Sequence, residues 1–323
     1  MRVPAARVVA DAGGEVLTTS GAGVSAESRG AGIAAPVARR ADRSTAILLA
    51  PACVLFALFV LYPIARTVLL SLFDWSGIGA ATYVGLDNYR ELAADPVFRR
   101  AIANNLRWLA CYGAAPLLGL ALAVLVSQPL RGMRIARTLF FMPFVVSQVV
   151  VGLVFAWFFN TRFGLAPRLA AALGWPGFAP LDSEHGALYT MVAAGVWPQT
   201  AYCMILYLAG LAALPVATVD AARVDGARGW ALLRHVVHPQ LRPVHFIVAM
   251  VCAVAALRSF DYVIVMTLGG PYDSSTVLAY YMFERTFVGH RYGYGAAIAT
   301  VLLALMSAII LLLLRRMLRA ERA

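Results

Sequence analysis

Six stretches of this chain, at about 46–72, 105–127, 138–160, 188–211, 244–265 and 295–314, are almost continuously apolar. Each is near the ~20 residues a helix needs to cross the hydrocarbon core of a bilayer. Lipid offers backbone N–H and C=O groups no partners, so such segments must satisfy them internally as helices. With 61% of its 323 residues hydrophobic and 13% charged, the chain could not cover its apolar surface as a soluble domain. The fold class that follows is an all-α integral membrane protein. Its six transmembrane helices occupy 45–323, and a polar helix–turn–helix lies between spans 4 and 5.

Residues 1–44 are rich in Ala, Gly, Val and Ser without helical or strand periodicity, which predicts a disordered tail. The apolar run after Arg39, Arg40 and Arg43 is too long for a signal-peptide core, so it reads as an uncleaved first span. Every one of the 27 basic residues is arginine. The phosphate-binding loop of ATPases needs a lysine, so this chain cannot carry one. Seventeen arginines fall in the N-terminal tail, 128–137, 212–243 and the C-terminal tail; seven fall in 73–104, 161–187 and 268–292. The positive-inside rule then puts both termini and the 212–243 segment in the cytoplasm. The net charge of +11 is accounted for by this topology and does not call for nucleic acid. Trp75, Tyr83, Tyr89, Trp175, Tyr272 and Tyr292 mark the opposite interface.

The segment at about 214–243 is amphipathic and carries both signs of charge. Pro215 suits a first helical turn, a helix is expected through Asp225, and Gly226 permits the tight turn that a second short helix requires. Trp230, Leu232, Leu233, Val236 and Val237 give that second helix an apolar face, and Pro239 and Pro243 end it. Small Ala221 and Ala222 let a partner backbone approach, with Arg223, Asp225 and Arg228 as register-setting charges. Composition alone leaves two readings open: docking on a soluble partner, or an amphipathic helix on the inner leaflet.

Ionisable residues inside spans are candidates for a solute path. Arg258 and Asp261 are three apart, at the spacing of a pair on one helical face. They read either as path residues or as a structural ion pair. Cys252, Ala256, Ser259 and Val263 form a small-residue face that either lines a cavity or allows close helix packing. Trp197, Gln199 and Tyr202 surround Pro198 in span 4 and suit a sugar ring or ordinary packing equally. Cys53, Cys111, Cys203 and Cys252 have no partner at disulfide or metal spacing and read as core residues. His235 and His238 lack a third ligand, so no metal site is expected. No arrangement of nucleophile, base or paired carboxylates points to an enzyme.

The segment Asp220-Ala221-Ala222, with Gly226 and Val236-Val237-His238-Pro239, resembles the cytoplasmic Glu-Ala-Ala loop of ABC importer permeases. Asp replaces Glu, Val replaces Ile and His238 replaces Leu. The resemblance extends over about 46–318, through Val84-Gly85-Leu86-Asp87-Asn88-Tyr89 and Phe140-Phe141-Met142-Pro143 with Trp157. It continues in Trp197-Pro198 with Leu208-Ala209-Gly210-Leu211, in Ser259-Phe260-Asp261 and in Thr267-Leu268-Gly269-Gly270-Pro271. These are similar to the carbohydrate permeases of the maltose and glycerol-phosphate branch. The resemblance implies a prokaryotic cell-membrane subunit pairing with a second permease as a heterodimer. It further implies two ATPase subunits that hold the ATP and Mg, and an extracytoplasmic solute-binding protein; this chain would bind no cofactor. Coupling would fall on Asp220, Ala221, Ala222, Arg223, Asp225, Gly226 and Pro239. The path through which a sugar-like solute moves by alternating access would use Trp197, Gln199, Tyr202, Cys252, Ala256, Arg258, Ser259 and Asp261. The alternatives are a stand-alone secondary transporter or channel for a small polar solute, disfavoured by the lack of internal repeats, or an assembly protein that moves nothing.

Overall fold

A computed structural model describes residues 43–128 and 130–322; the tail expected over 1–44 lies outside the described residues except for its last two positions. The chain divides into two units, Met1–Val54 and Leu55–Ala323. The first contains most of α1 (Arg43–Phe56), which is apolar from Ala46 onward.

In the second unit α2 (Tyr62–Leu70) leads into the one departure from all-helical structure among the described residues. This is a short hairpin in which β1 (Phe73–Asp74) pairs antiparallel with β2 (Thr82–Tyr83). Next come α3 (Asp87–Ala94) and α4 (Pro96–Tyr112), which meet at Asp95. The Asp95 carboxylate accepts from the Val97 N–H at 2.8 Å, and Pro96 fills the first helical position, where a missing N–H costs nothing. Through Gly113, α4 continues into α5 (Ala114–Val126), and the two make one span, Pro96–Val126.

The third expected span, 138–160, is two helices and not one. α6 (Met133–Val145) and α7 (Gln148–Phe158) are bent by 92° to each other. Val146 and Ser147 take extended dihedrals, with ψ of 136° and 139°, and Pro143 within α6 has already removed one N–H from the helical ladder. Five helical spans, some of them made of successive helices, are long and apolar enough to cross a membrane: Leu48–Leu70, Pro96–Val126, Gly186–Ala212, Arg242–Met266 and Tyr292–Arg319. The bent pair makes a sixth crossing if counted as one span.

A short α8 (Leu165–Ala172) precedes α9 (Gly186–Ala212), the central helix. The most apolar window of α9 is 61% buried, against 11% for the last span, so α9 is the post around which the others pack. Beyond it lie α10 (Val216–Val224), α11 (Gly229–Leu232) and α12 (His238–Gln240), then α13 (Arg242–Leu257), α14 (Phe260–Met266), α15 (Leu278–Phe283) and α16 (Tyr292–Arg322). Trp108, Tyr112, Met191 and Tyr262 anchor one core cluster. Cys203, Met204, Tyr207, Leu241 and Cys252 anchor a second, toward the α10 end of the bundle. Leu92, Phe98, Tyr281 and Tyr294 anchor a third, at the end carrying α3 and α15.

Candidate functional site

The hairpin formed by α10, α11 and α12 hangs from the ends of α9 and α13. Pro215 sits at the N-cap of α10, and its carbonyl accepts from Thr218 N at 3.1 Å. The helix closes at Val224, one residue short of the expected Asp225, which becomes the C-cap. Ala227 N reaches back to Ala222 O at 2.9 Å, and Gly226 N to Arg223 O at 3.1 Å. These two bonds make a Schellman ending, which demands a left-handed residue between them. Gly226 supplies it with φ +88°, and a Cβ there would meet nothing within 4 Å. The glycine is therefore favoured by backbone conformation, not by crowding.

Val219 and Ala222, three apart, form the half-buried side of α10, while its other residues are exposed. Of the two alanines singled out in the sequence, Ala221 faces outward and Ala222 inward. Asp220 and Arg223 make an ion pair of 3.1 Å with both side chains more than half exposed. Val216, Val224 and Trp230 are 72%, 87% and 71% exposed, so large apolar side chains stand without internal partners. A hollow of about 990 Å³, lined by Leu214, Val219, Asp220, Arg223, Arg228 and Trp230 among others, lies between α10 and the ends of α5 and α9, while Leu232, Leu233 and Val237 of the second arm join the core cluster of Val126 and Tyr207. Pro239 lies in the first turn of α12. The helical path then breaks at Leu241 before α13 starts at Arg242, with Pro243 in its first turn. The His238 ring lies 4.5 Å from that of His245, whose Nδ1 is 3.0 Å from the Tyr207 hydroxyl. His235 Nδ1 instead meets Ala231 O at 3.1 Å. Among the described residues no three metal-ligating side chains converge.

A cavity of about 510 Å³ lies between α6, α7, α9, α13 and α16. It gathers four residues named from the sequence: Gln199, Tyr202, Arg258 and Asp261. Phe144 stacks on Tyr202 with ring centroids 4.6 Å apart, which gives the cavity a flat aromatic wall. Gln148, at the first position of α7, adds a second amide; nothing in the residue pattern singles it out, because its placement depends on the break at Val146 and Ser147.

The expected helical pairing of Arg258 with Asp261 does not form. Arg258 is the C-cap of α13 and Ser259 the N-cap of α14, so no continuous helix carries both, and no ion pair joins them among the described residues. Both open on the cavity instead. Cys252, Ala256 and Val263 are buried in packed clusters and Ser259 is buried beside them, and none of the four lines the cavity. Trp197 is 51% exposed and packs edge-on against Phe155, outside the cavity. The cysteines bring the largest surprise: Cys203 and Cys252 Sγ atoms are 3.4 Å apart, which a 49-residue separation in sequence concealed.

The end of the bundle carrying α3 and α15 is tied by long-range polar bonds. The Asp95 carboxylate that caps α4 also accepts from the hydroxyls of Tyr281 and Tyr294. Partial burial raises the pKa of Asp95, but the two hydroxyls and the Val97 and Phe98 N–H groups together outweigh it and hold the value below the usual carboxylate range. Arg291 donates twice to Glu91 at 2.6 Å, which lowers the pKa of that carboxyl too. Asn104 donates to Ser274 O and Thr276 O at 2.7 and 2.8 Å, and Asn105 accepts from Leu278 N at 2.9 Å.

Residues 115–322, which include the hairpin and every residue lining the cavity, match the family model described as binding-protein-dependent transport system inner membrane component. The chain is 35% identical over 269 residues to a probable ABC transporter permease protein of Pyrococcus horikoshii, covering 82% of this chain and 92% of that one. It is 33% identical to the sulfoquinovosyl glycerol transport system permease protein SmoG of Agrobacterium fabrum, over 82% and 87%. It is equally similar, at 33%, to the alpha-glucoside transport system permease protein AglF of Rhizobium meliloti, over 80% and 78%. A solved bacterial ABC transporter involved in import of the acidic polysaccharide alginate shares the fold, with a TM-score of 0.73 at 20% identity over 86% and 96% of the chains. The family is a transport component with no catalysis of its own, and the chain belongs to it: a multi-pass permease subunit of an ABC importer in a prokaryotic inner membrane.

Proposed function

We propose that this permease carries a sugar or sugar-like solute into the cytoplasm. It does so beside a second, different permease subunit, fed by an extracytoplasmic solute-binding protein and driven by two ATPase subunits that hold ATP and Mg. The observation that carries the sugar assignment is the cavity in which the Phe144–Tyr202 stack faces Gln148, Gln199, Arg258 and Asp261. A sugar presents apolar C–H faces and hydroxyls together, so it needs an aromatic wall and convergent hydrogen-bonding groups. The volume of about 510 Å³ is within the ordinary range for a small-molecule site. The relatives SmoG and AglF, named for sulfoquinovosyl glycerol and alpha-glucoside transport, support the same class. The alginate transporter has been captured with an alginate pentasaccharide-bound periplasmic protein, which supports the binding-protein partner.

The excess of arginine in the tails and in 212–243 supports a cytoplasmic hairpin and cytoplasmic termini. The coupling residues are Asp220, Ala221, Ala222, Arg223, Asp225, Gly226 and Pro239. ATPase closure moves the hairpin, and the permease pair rocks between inward- and outward-facing states. Reversing a 99:1 population takes about 5.5 kcal/mol of differential binding, which a rigid helix seated in a partner can transmit.

The test is uptake of labelled sugars into proteoliposomes that hold the full transporter. Uptake that requires both ATP on the hairpin side and loaded binding protein on the other is expected. Sugar uptake by this chain alone without ATP would make it a secondary transporter and overturn the proposal.

A further inference from the structure

Cys203 and Cys252 occupy equal depths on the two helices that carry the coupling hairpin. Cys203 is nine residues before the end of α9, and Cys252 is ten after the start of α13. At 1.5 Å per residue, both lie about 15 Å into the bundle from the hairpin. Their Sγ atoms are 3.4 Å apart, in van der Waals contact, and both side chains are buried. The fit is tight. A Cβ on Gly119 of α5 would lie 2.5 Å from the Cys203 Cβ, so α5 presses the Cys203 side of the pair from behind. The amide of Gln199, one turn before Cys203 on α9, donates to the Cys252 sulfur at 3.4 Å and also lines the solute cavity. One side chain therefore separates the thiol pair from the proposed solute cavity.

We propose that Cys203 and Cys252 are an oxidisable pair whose disulfide staples the two arms of the coupling hairpin and arrests transport. The co-reactant is a hydroperoxide small enough to reach the bundle interior. Its O–O bond breaks as one thiol is oxidised to a sulfenic acid, and the peroxide leaves as water or an alcohol. The second thiol then attacks the sulfenic sulfur; the S–S bond forms, the S–O bond breaks, and water carries away the remaining proton. The bond needs the sulfurs to close from 3.4 Å to about 2.05 Å, a shift that side-chain rotation can supply between packed helices. The consequence for transport rests on the proposed motion of the hairpin relative to the bundle.

The experiment treats the full transporter in native membranes with hydrogen peroxide, blocks free thiols with N-ethylmaleimide, and reads cysteine-containing peptides by mass. A linked Cys203–Cys252 peptide, with Cys53 and Cys111 alkylated, is expected. Four alkylated cysteines, or a link to Cys53 or Cys111, would overturn the pairing. In parallel, ATP-driven uptake should fall at least tenfold on oxidation and return with dithiothreitol. The variant Cys203→Ala, or Cys203→Val if alanine leaves the core too loose to insert, should transport normally and ignore peroxide. A quantitative disulfide with undiminished uptake would overturn the staple. The linked peptide is detected whether or not solute moves, so a transporter idle before oxidation counts against the permease reading and not against the pair.

Discussion

At the end of the bundle where α3, α15 and α16 meet, polar side chains reach far across the sequence. Asn104 bonds 170 and 172 residues away, Asp95 186 and 199, and Glu91 200. At the other end, the hairpin's ion pair, Asp220 with Arg223, joins residues three apart, and a hollow separates α10 from the bundle. The first region is fixed by its own fold. The second has a well-made local structure in α10, closed by a Schellman ending, and its tie to the bundle runs through the apolar packing of Leu232, Leu233 and Val237 instead of polar bonds. A helix that is stiff within itself, set off from the bundle by a hollow and joined to it through a packed second arm, is suited to passing on a push from outside.

The sharpest way to break that comparison is Gly226→Asp. Aspartate tolerates a left-handed backbone better than most residues, and open space surrounds the position, so insertion and folding should survive. A charge placed on the docking surface should cut ATP-coupled uptake by more than tenfold; normal uptake would remove the hairpin from the coupling path. At the other end, Asp95→Ala strips the acceptor from two tyrosine hydroxyls and uncaps α4. Thermal unfolding in detergent should show a loss of about 2–3 kcal/mol, since leaving buried donors unpaired costs more than a hydrogen bond contributes.

A pH titration sharpens the same contrast with a smaller effect. Asp95 and Glu91 have lowered folded-state pKa values, so their unfolded forms take up protons first as the pH falls. The stability they confer is complete above the unfolded-state values and lost as the pH drops through the folded-state values, below about pH 4. Asp95→Asn should flatten that acid limb. The smallest effect is expected for Arg223→Ala. Its pair is exposed on both sides, so the change in unfolding free energy should stay below about 0.5 kcal/mol.

Much of this organisation is legible in the residues, for reasons that can be named. Apolar length marks a span regardless of what packs around it, so the five spans follow from composition. Gly226 announces its turn because few other residues occupy that conformation. Long-range geometry is not legible. The 92° bend between α6 and α7 depends on two extended residues, Val146 and Ser147, inside an apolar run that gives no compositional sign beyond Pro143. Helical spacing misplaced Arg258 and Asp261 because the path breaks at Ser259, which looks like any small span residue. Gln148 and the Cys203–Cys252 contact escaped for the same reason: each depends on which helix faces which, and the hydropathy pattern carries no record of that.

The central claim is that α10 is gripped by a separate ATP-hydrolysing subunit. Ala221 is exposed on the outward side of that helix, so a photo-reactive amino acid there points at whatever does the gripping. Irradiation of the transporter in native membranes should yield one adduct, between this chain and an ATPase subunit, and its yield should change when ATP is added. Capture of lipid alone, under conditions in which the cells import the solute, would contradict the account.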